Sequence, residues 1–198
     1  MRIITGKYKG RHFDIPRTFK ARPTTDFAKE NIFNVLQGYT DFDGAVALDL
    51  FAGTGSISLE LLSRGCQQVV SVEGDRDHAA FIRQCMKKIE ADNDILIRGD
   101  VFRFLKSCRQ KFDIIFADPP YALPELPEIP SRIFDAGLLA PDGILVFEHS
   151  KHNDFSSDPR FVEHRSYGSV NFSLFRLPQD TQESQEPHTS QDSETSQD

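Results

Sequence analysis

Short apolar runs recur along the chain at the length of a strand: AVALDLF (45–51), QQVVSVE (67–73), DILIRG (94–99), FDIIFAD (112–118) and GILVFEH (143–149). Continuous rather than alternating hydrophobicity marks strands buried on both faces of a sheet. Helical patterns fill the intervals. After ARPTTD, Ala28, Ile32, Val35 and Leu36 fall on one helical face, with Thr25 or Asp26 as N-cap. SISLELLSRG reads as a helix ending at Gly65, and residues 76–90 place Ala79, Ile82, Met86 and Ile89 on one face. VFRFLKSC and a segment near 129–137, behind a proline-broken loop, complete the set. Strands that alternate with helices need right-handed crossovers, so the sheet is expected to be largely parallel. The segment RFVEHRSYGSVNFSLFRL (160–177) departs from this rhythm and reads as two strands about a Tyr-Gly-Ser turn. Residues 1–15 read as two short strands around Gly6–Gly10. The fold class is therefore α/β, a doubly wound sandwich closed by an antiparallel hairpin.

At 198 residues the chain is long enough for one domain with a sizeable core plus appendages. No 18-residue apolar run occurs, and MRIITGKYKG lacks the apolar core of a signal peptide, so a soluble cytoplasmic protein, likewise a monomer, is expected. Cys66, Cys85 and Cys108 form no C-x-x-C pair, which argues against a disulfide framework or a zinc site. The net charge of −7 is unevenly spread. Residues 1–22 hold Arg2, Lys7, Lys9, Arg11, Arg17, Lys20 and Arg22 against Asp14 alone. Residues 178–198 hold six acids and no Lys or Arg. That tail has no apolar side chain larger than proline and is expected to be disordered. The expected organisation is a basic hairpin extension over 1–22, a catalytic body over 23–177 and an acidic tail over 178–198.

In a doubly wound sheet ligands bind beyond the carboxyl ends of the strands, so residues just past each strand carry the functional signal. The first strand is followed by DLFAGTGS, with Asp49, then Gly53 and Gly55 opening a helix. Glycines there let a ligand approach the backbone, and the helix start offers free N–H groups. The motif departs from the dinucleotide fingerprint G-x-G-x-x-G because its last position is Ser58. Glu73 ends the second strand, where an acid can accept from both ribose hydroxyls. Asp100 and Val101 follow the third, an acceptor for an adenine amine and an apolar contact for its ring, though Asp100 alone would read as a helix N-cap. Together these strand ends describe an adenosine pocket without a phosphate-dominated site. The fourth strand ends in Asp118-Pro119-Pro120-Tyr121, a carboxylate and a phenol ring on a rigid exit without backbone donors at the prolines.

With D-L-F-A-G-T-G-S, L-S-R-G, V-E-G-D, F-A-D-P-P-Y and YGSVNFSLFR in place, the chain resembles class I S-adenosylmethionine-dependent methyltransferases that act on amines. The opening RIITGKYKGRHF and the run RPTTDFAKENIFNVL point more narrowly, over residues 1–177, to the RsmD family of 16S ribosomal RNA guanine-N2 methyltransferases. The resemblance implies a Rossmann-like fold with a mostly parallel seven-stranded sheet, S-adenosylmethionine as cofactor, and 16S rRNA, within an assembling 30S subunit, as partner. Carried onto this chain, it implies a cofactor site of Asp49, Phe51, Gly53, Gly55, Glu73, Gly74, Asp100, Val101 and Asp118, with Thr24 at the methionine end. It implies catalysis by Asp118, Pro119 and Tyr121, and for an RNA substrate the basic excess over residues 1–22 makes Lys7, Lys9, Arg11 and Arg22 the expected RNA contacts. D-P-P-Y is shared with adenine-N6 and cytosine-N4 enzymes, which leaves a DNA or other RNA amino-methyltransferase as the alternative. Where the family has basic side chains after R-P-T-[ST]-D, this chain has Phe27 and Ala28 before Lys29. His149, at the fifth strand's end, reads as a structural side chain rather than a base.

Overall fold

The computed structural model describes residues 1–19 and 25–178. Its centre is a seven-stranded sheet of β1 (Val46–Leu50), β2 (Gln68–Glu73), β3 (Asp94–Arg98), β4 (Phe112–Ala117), β5 (Leu139–His149), β6 (Phe161–Tyr167) and β7 (Val170–Phe175). The strand order is β3-β2-β1-β4-β5-β7-β6, parallel from β1 to β5 and antiparallel at β7 and β6. The class I Rossmann-like architecture with its closing hairpin is the one expected. The chain runs outward from β1 through β2 to β3, then returns to pair β4 with β1 on the other side. That reversal opens a crevice above the carboxyl ends of β1 and β4.

Alternation along the strands sends side chains to two cores. Ala47, Val69, Ile114, Phe116, Ile144, Val146, Phe172 and Leu174 pack under α1 (Asp26–Leu36), α2 (Ser56–Ser63) and α3 (Arg76–Lys88). Leu48, Leu50, Val70, Val72, Ile115, Ala117, Leu145 and Phe147 pack against α4 (Val101–Ser107) and α5 (Ile129–Asp135). A single-turn 3₁₀ segment, Leu126–Glu128, leads into α5.

Thr25, not Asp26, caps α1, its hydroxyl accepting from Ala28 N at 3.1 Å. The two N-terminal strands shrink to one antiparallel bridge, Arg2 with His12. The cause is local. The backbone N–H groups of Ile4 and Thr5 turn to the Glu60 carboxylate, at 2.7 and 3.1 Å, instead of crossing to a partner strand. Lys7 N donates to Ser63 O and Tyr8 N to Ser63 Oγ, so this segment lies along α2. Gly6 is required there: its φ is +88°, and a Cβ would sit 1.7 Å from Ser63 O. Lys29, buried in α1, donates to Arg2 O at 2.6 Å and Ser56 Oγ at 2.9 Å, tying segment, α1 and the start of α2 together. Burial holds its pKa below the usual lysine value. The side chain that follows the family's departure at Phe27 and Ala28 is thus a structural tie rather than a surface charge.

Candidate active site at the carboxyl edge of the sheet

Residue parity brings the expected acids to one face. Asp49 shares its face of β1 with Ala47, Glu73 its face of β2 with Val69 and Ser71, and Asp118 follows Ile114 and Phe116 beyond β4. Glu148, in step with Ile144 and Val146 on β5, joins them. Four carboxyls therefore line the helix α1–α3 side of the sheet's carboxyl edge, around the β1/β4 crevice.

Asp49 is 1% exposed. It accepts from Ser58 N at 3.0 Å and from Ser58 Oγ. Ser58 Oγ also meets Ser71 Oγ at 2.8 Å, and Ser71 Oγ donates to Asp94 at 2.8 Å. The serine that breaks the dinucleotide fingerprint is the hydroxyl that holds Asp49. Burial pushes Asp49 up to about 7, with the nearby Asp94 and Glu73 charges adding to the rise and the Ser58 bonds opposing it. Burial likewise lifts Asp94 to about 6.

Glu73 fixes the loop after β1: Oε2 accepts from Gly53 N at 2.6 Å and Oε1 from Asp75 N at 2.7 Å. Each oxygen keeps a second lone pair for a ligand hydroxyl. The loop itself is in left-handed conformation at Phe51 (φ +62°), Gly53 (+56°) and Gly55 (+76°). At Gly55 a Cβ would lie 2.9 Å from Ile82 Cγ1, so side-chain packing also demands glycine. At Gly53 and Gly74 an added Cβ would meet nothing nearer than 3.8 and 3.6 Å, and at Gly99 nothing within 4 Å. The ends of β1, β2 and β3 thus present bare backbone rims with room beside them. Asp100 is exposed and caps α4 through Arg103 N at 2.8 Å, while Val101 is buried. Phe51 and Phe102 meet edge to face at 6.4 Å between centroids. A cavity of about 450 Å³ beside β3 and α4 reaches Gly99 and Asp100 from the flank.

Asp118 follows β4, its backbone N bonded to Leu50 O at 3.3 Å. Pro119 is buried and Pro120 exposed. The Tyr121 ring is 45% exposed, yet its hydroxyl donates to Glu148 Oε1 at 2.8 Å. Burial first, then the Glu148 and Asp49 charges and a hydrogen bond to Glu148, raise Asp118 well above the usual carboxylate range. Burial and Glu148 also raise Tyr121. His149 points away from this group, its ring nitrogens meeting Ser150 O and Ser173 Oγ at 2.8 Å, and burial lowers its pKa. The structural reading of His149 fits, and the acid that faces the crevice at this strand end is its neighbour Glu148. Glu148 is a site acid not expected from the sequence, although it obeys the same rule as Glu73: an acid closing a buried apolar strand.

Of the expected RNA contacts, Lys7, Lys9 and Arg11 are exposed on the segment along α2. Arg22 and Thr24 lie outside the described residues, as does the acidic tail from residue 179 onward.

The chain is similar to known proteins in sequence and in fold. Ribosomal RNA small subunit methyltransferase D of Escherichia coli is 31% identical over 159 residues, 80% of this chain and 79% of that protein. The protein of the same name from Haemophilus influenzae is 27% identical over 182 residues, covering 89% and 93%. A solved structure, hypothetical protein TTHA0928 of Thermus thermophilus, superposes with a TM-score of 0.78 at 27% identity, over 89% of this chain and 99% of that one. The family model described as "Conserved hypothetical protein 95" matches residues 1–176. With that match over residues 1–176 and a relative 31% identical over 80% of this sequence, the chain belongs to that family, the RsmD family.

Proposed function

We propose that the protein transfers a methyl group from S-adenosylmethionine to the exocyclic N2 of a guanine in 16S ribosomal RNA, in the cytoplasm and within an assembling 30S subunit. The observation that carries this reading is Asp118 at the β1/β4 crevice, on one face with Asp49 and Glu73 and beside an exposed Tyr121 ring. The Escherichia coli relative, by its name a small-subunit rRNA methyltransferase, supports the RNA substrate.

The residues present suit the cofactor. S-Adenosylmethionine supplies an electrophilic methyl on a sulfonium cation, and the crevice gathers carboxyls. Among the described residues, the charged groups that bear on Asp118 are Glu148 and Asp49, both acids. The open rims at Gly53, Gly74 and Gly99 give a ligand access to backbone. In this reading Glu73 accepts the ribose hydroxyls, Asp100 and Val101 meet the adenine, and Phe51, Gly55 and Asp49 line the turn toward the methionine end with Thr24. Residues 1–22 form the RNA-gripping extension through Lys7, Lys9, Arg11 and Arg22, and 23–177 the methyltransferase body.

An exocyclic amine is a weak nucleophile because its lone pair is delocalised into the ring. Asp118 and the Pro119 carbonyl accept its N–H bonds and direct the lone pair at the methyl carbon. Holding reactants in line supplies about 7–11 kcal/mol of the barrier. The carboxyl also stabilises positive charge as it develops on N2. Tyr121, anchored by its hydroxyl on Glu148 and exposed at its face, stacks on a base drawn out of its helix. The test is transfer of isotopically labelled methyl to small-subunit rRNA followed by nucleoside analysis. N2-methylguanosine is expected; N6-methyladenosine or N4-methylcytidine would move the reading to the other D-P-P-Y chemistries.

A further inference from the structure

Tyr121 is one of two exposed phenyl or phenol rings among the described residues; the other, Phe27 in the first turn of α1, is the more exposed at 65%. The Phe27 ring meets Tyr167 edge to face, with centroids 6.1 Å apart and planes at 87°. A single exposed ring needs no explanation, but two rings in contact beside a site form a surface that a ligand can use. Strand register fixes where this pair stands. His149, at the end of β5, lies opposite Asn171, Asn171 opposite Ser166, and Tyr167 opposite Val170. Tyr167 is therefore at the same carboxyl edge of the sheet as the crevice. The face is shared too. The Tyr167 ring packs on Phe172 at 6.2 Å and Phe172 on Phe116 at 5.9 Å, in the core under α1 on the side to which Asp49 and Asp118 turn. From β4 to β6 the sheet crosses three strand spacings, about 14 Å. Two arginines flank the pair, each engaged by a carboxylate. Arg2 meets Asp26, next to Phe27 in the chain, at 3.3 Å, and Arg165, two residues before Tyr167 on β6, meets Glu163. Rings whose neighbouring charges are matched in this way suit the π-face of a base better than a phosphate.

We propose that the Phe27–Tyr167 pair is a second stacking platform, which receives an unpaired RNA base flanking the target nucleotide and so holds single-stranded substrate along the edge toward Asp118. The inference rests on the RNA methyl-transfer reading above and narrows its substrate to unpaired RNA. A base drawn out of a helix leaves its neighbours unstacked, and a ring beside the site gives one of them a new partner. Stacking of this kind tolerates any sequence, because every base has a π-face. The labour is thereby divided. Tyr121 takes the target base, Phe27 and Tyr167 take a neighbour, and the phosphates are left to Lys7, Lys9 and Arg11.

The experiment compares the intact protein with Phe27→Ala, Phe27→Leu and Phe27→Tyr. Phe27 lies outside both cores, so its replacement leaves the fold in place. The probe is a short single-stranded RNA carrying 2-aminopurine beside guanine, with the same sequence in a duplex as control. Affinity and fluorescence quenching are read across a salt series. Phe27→Ala should bind the single strand roughly 5- to 150-fold more weakly, the fold-change that one lost base stack corresponds to, with part of the quenching gone. Its slope of log affinity against log salt should match the parent's, since no phosphate contact is lost. Phe27→Tyr should keep the parent affinity, and Phe27→Leu should fall with Phe27→Ala. Duplex binding should not respond to any of the three. Parent affinity and quenching in Phe27→Ala overturn the platform, and methyl transfer by the same parent preparation would leave the functional reading standing. A flatter salt slope in Phe27→Ala, or full binding by Phe27→Leu, also overturns it, the first in favour of a phosphate grip and the second in favour of an apolar patch that docks protein. Phe27-dependent quenching in a protein that methylates no RNA would instead overturn the functional reading and leave the platform standing.

Discussion

A carboxyl such as Asp49, 1% exposed, sits where water would ordinarily hold its charge. Its folded pKa of about 7 stands above the ordinary 3.8. The neutral form is therefore favoured by folding, and its contribution to stability is fully present below 3.8 and lost as pH rises through about 7. A bound cation reverses the preference. Affinity for S-adenosylmethionine should weaken as pH falls from 8 to 6, approaching tenfold per unit once Asp49 is protonated, and calorimetry should detect proton release on binding. Asp49→Asn should bind more weakly at pH 8 and lose most of that slope. An affinity level across this range in the parent protein would show that Asp49 does not sense the cofactor's charge. The carboxyl itself was legible at a strand end. Its partner Ser58 was not, because a hydroxyl nine residues downstream meets Asp49 only once α2 has turned back over the sheet.

At the scale of elements, the strand and helix rhythm translated directly, since buried strands and amphipathic helices bury their apolar faces in only a few ways. The N-terminal pair did not, because two of its backbone donors are taken by Glu60, a partner 55 or 56 residues away that local pattern cannot show. That docking has a functional side. The segment's backbone is fastened to α2 and Lys7, Lys9 and Arg11 are exposed on it, and the proposed function makes these three the electrostatic grip on RNA. Neutralising all three should flatten the slope of log RNA affinity against log salt by about two to three, each lost phosphate contact removing somewhat under one. S-Adenosylmethionine affinity should stay unchanged. A salt series in which the triple variant keeps the parent slope would assign the grip elsewhere.

For the molecule as a whole, the net charge of −7 conceals a basic front edge and an acidic crevice with different ligands to suit. The crevice was only half legible. Asp49, Glu73 and Asp118 announce themselves at strand ends, but their shared face follows from register, and Glu148 enters because β5 pairs in parallel beside β4. In the proposed function this edge binds the cofactor as one unit and Asp118 directs the amine. The most direct measurement is single-turnover methyl transfer to small-subunit rRNA by Asp118→Ala at saturating S-adenosylmethionine, with cofactor affinity measured on the same preparation. Loss of at least about a hundredfold in transfer, the scale of removing one preorganised electrostatic group, with affinity largely retained, is the expected result. Near-normal transfer by a folded Asp118→Ala protein would contradict it.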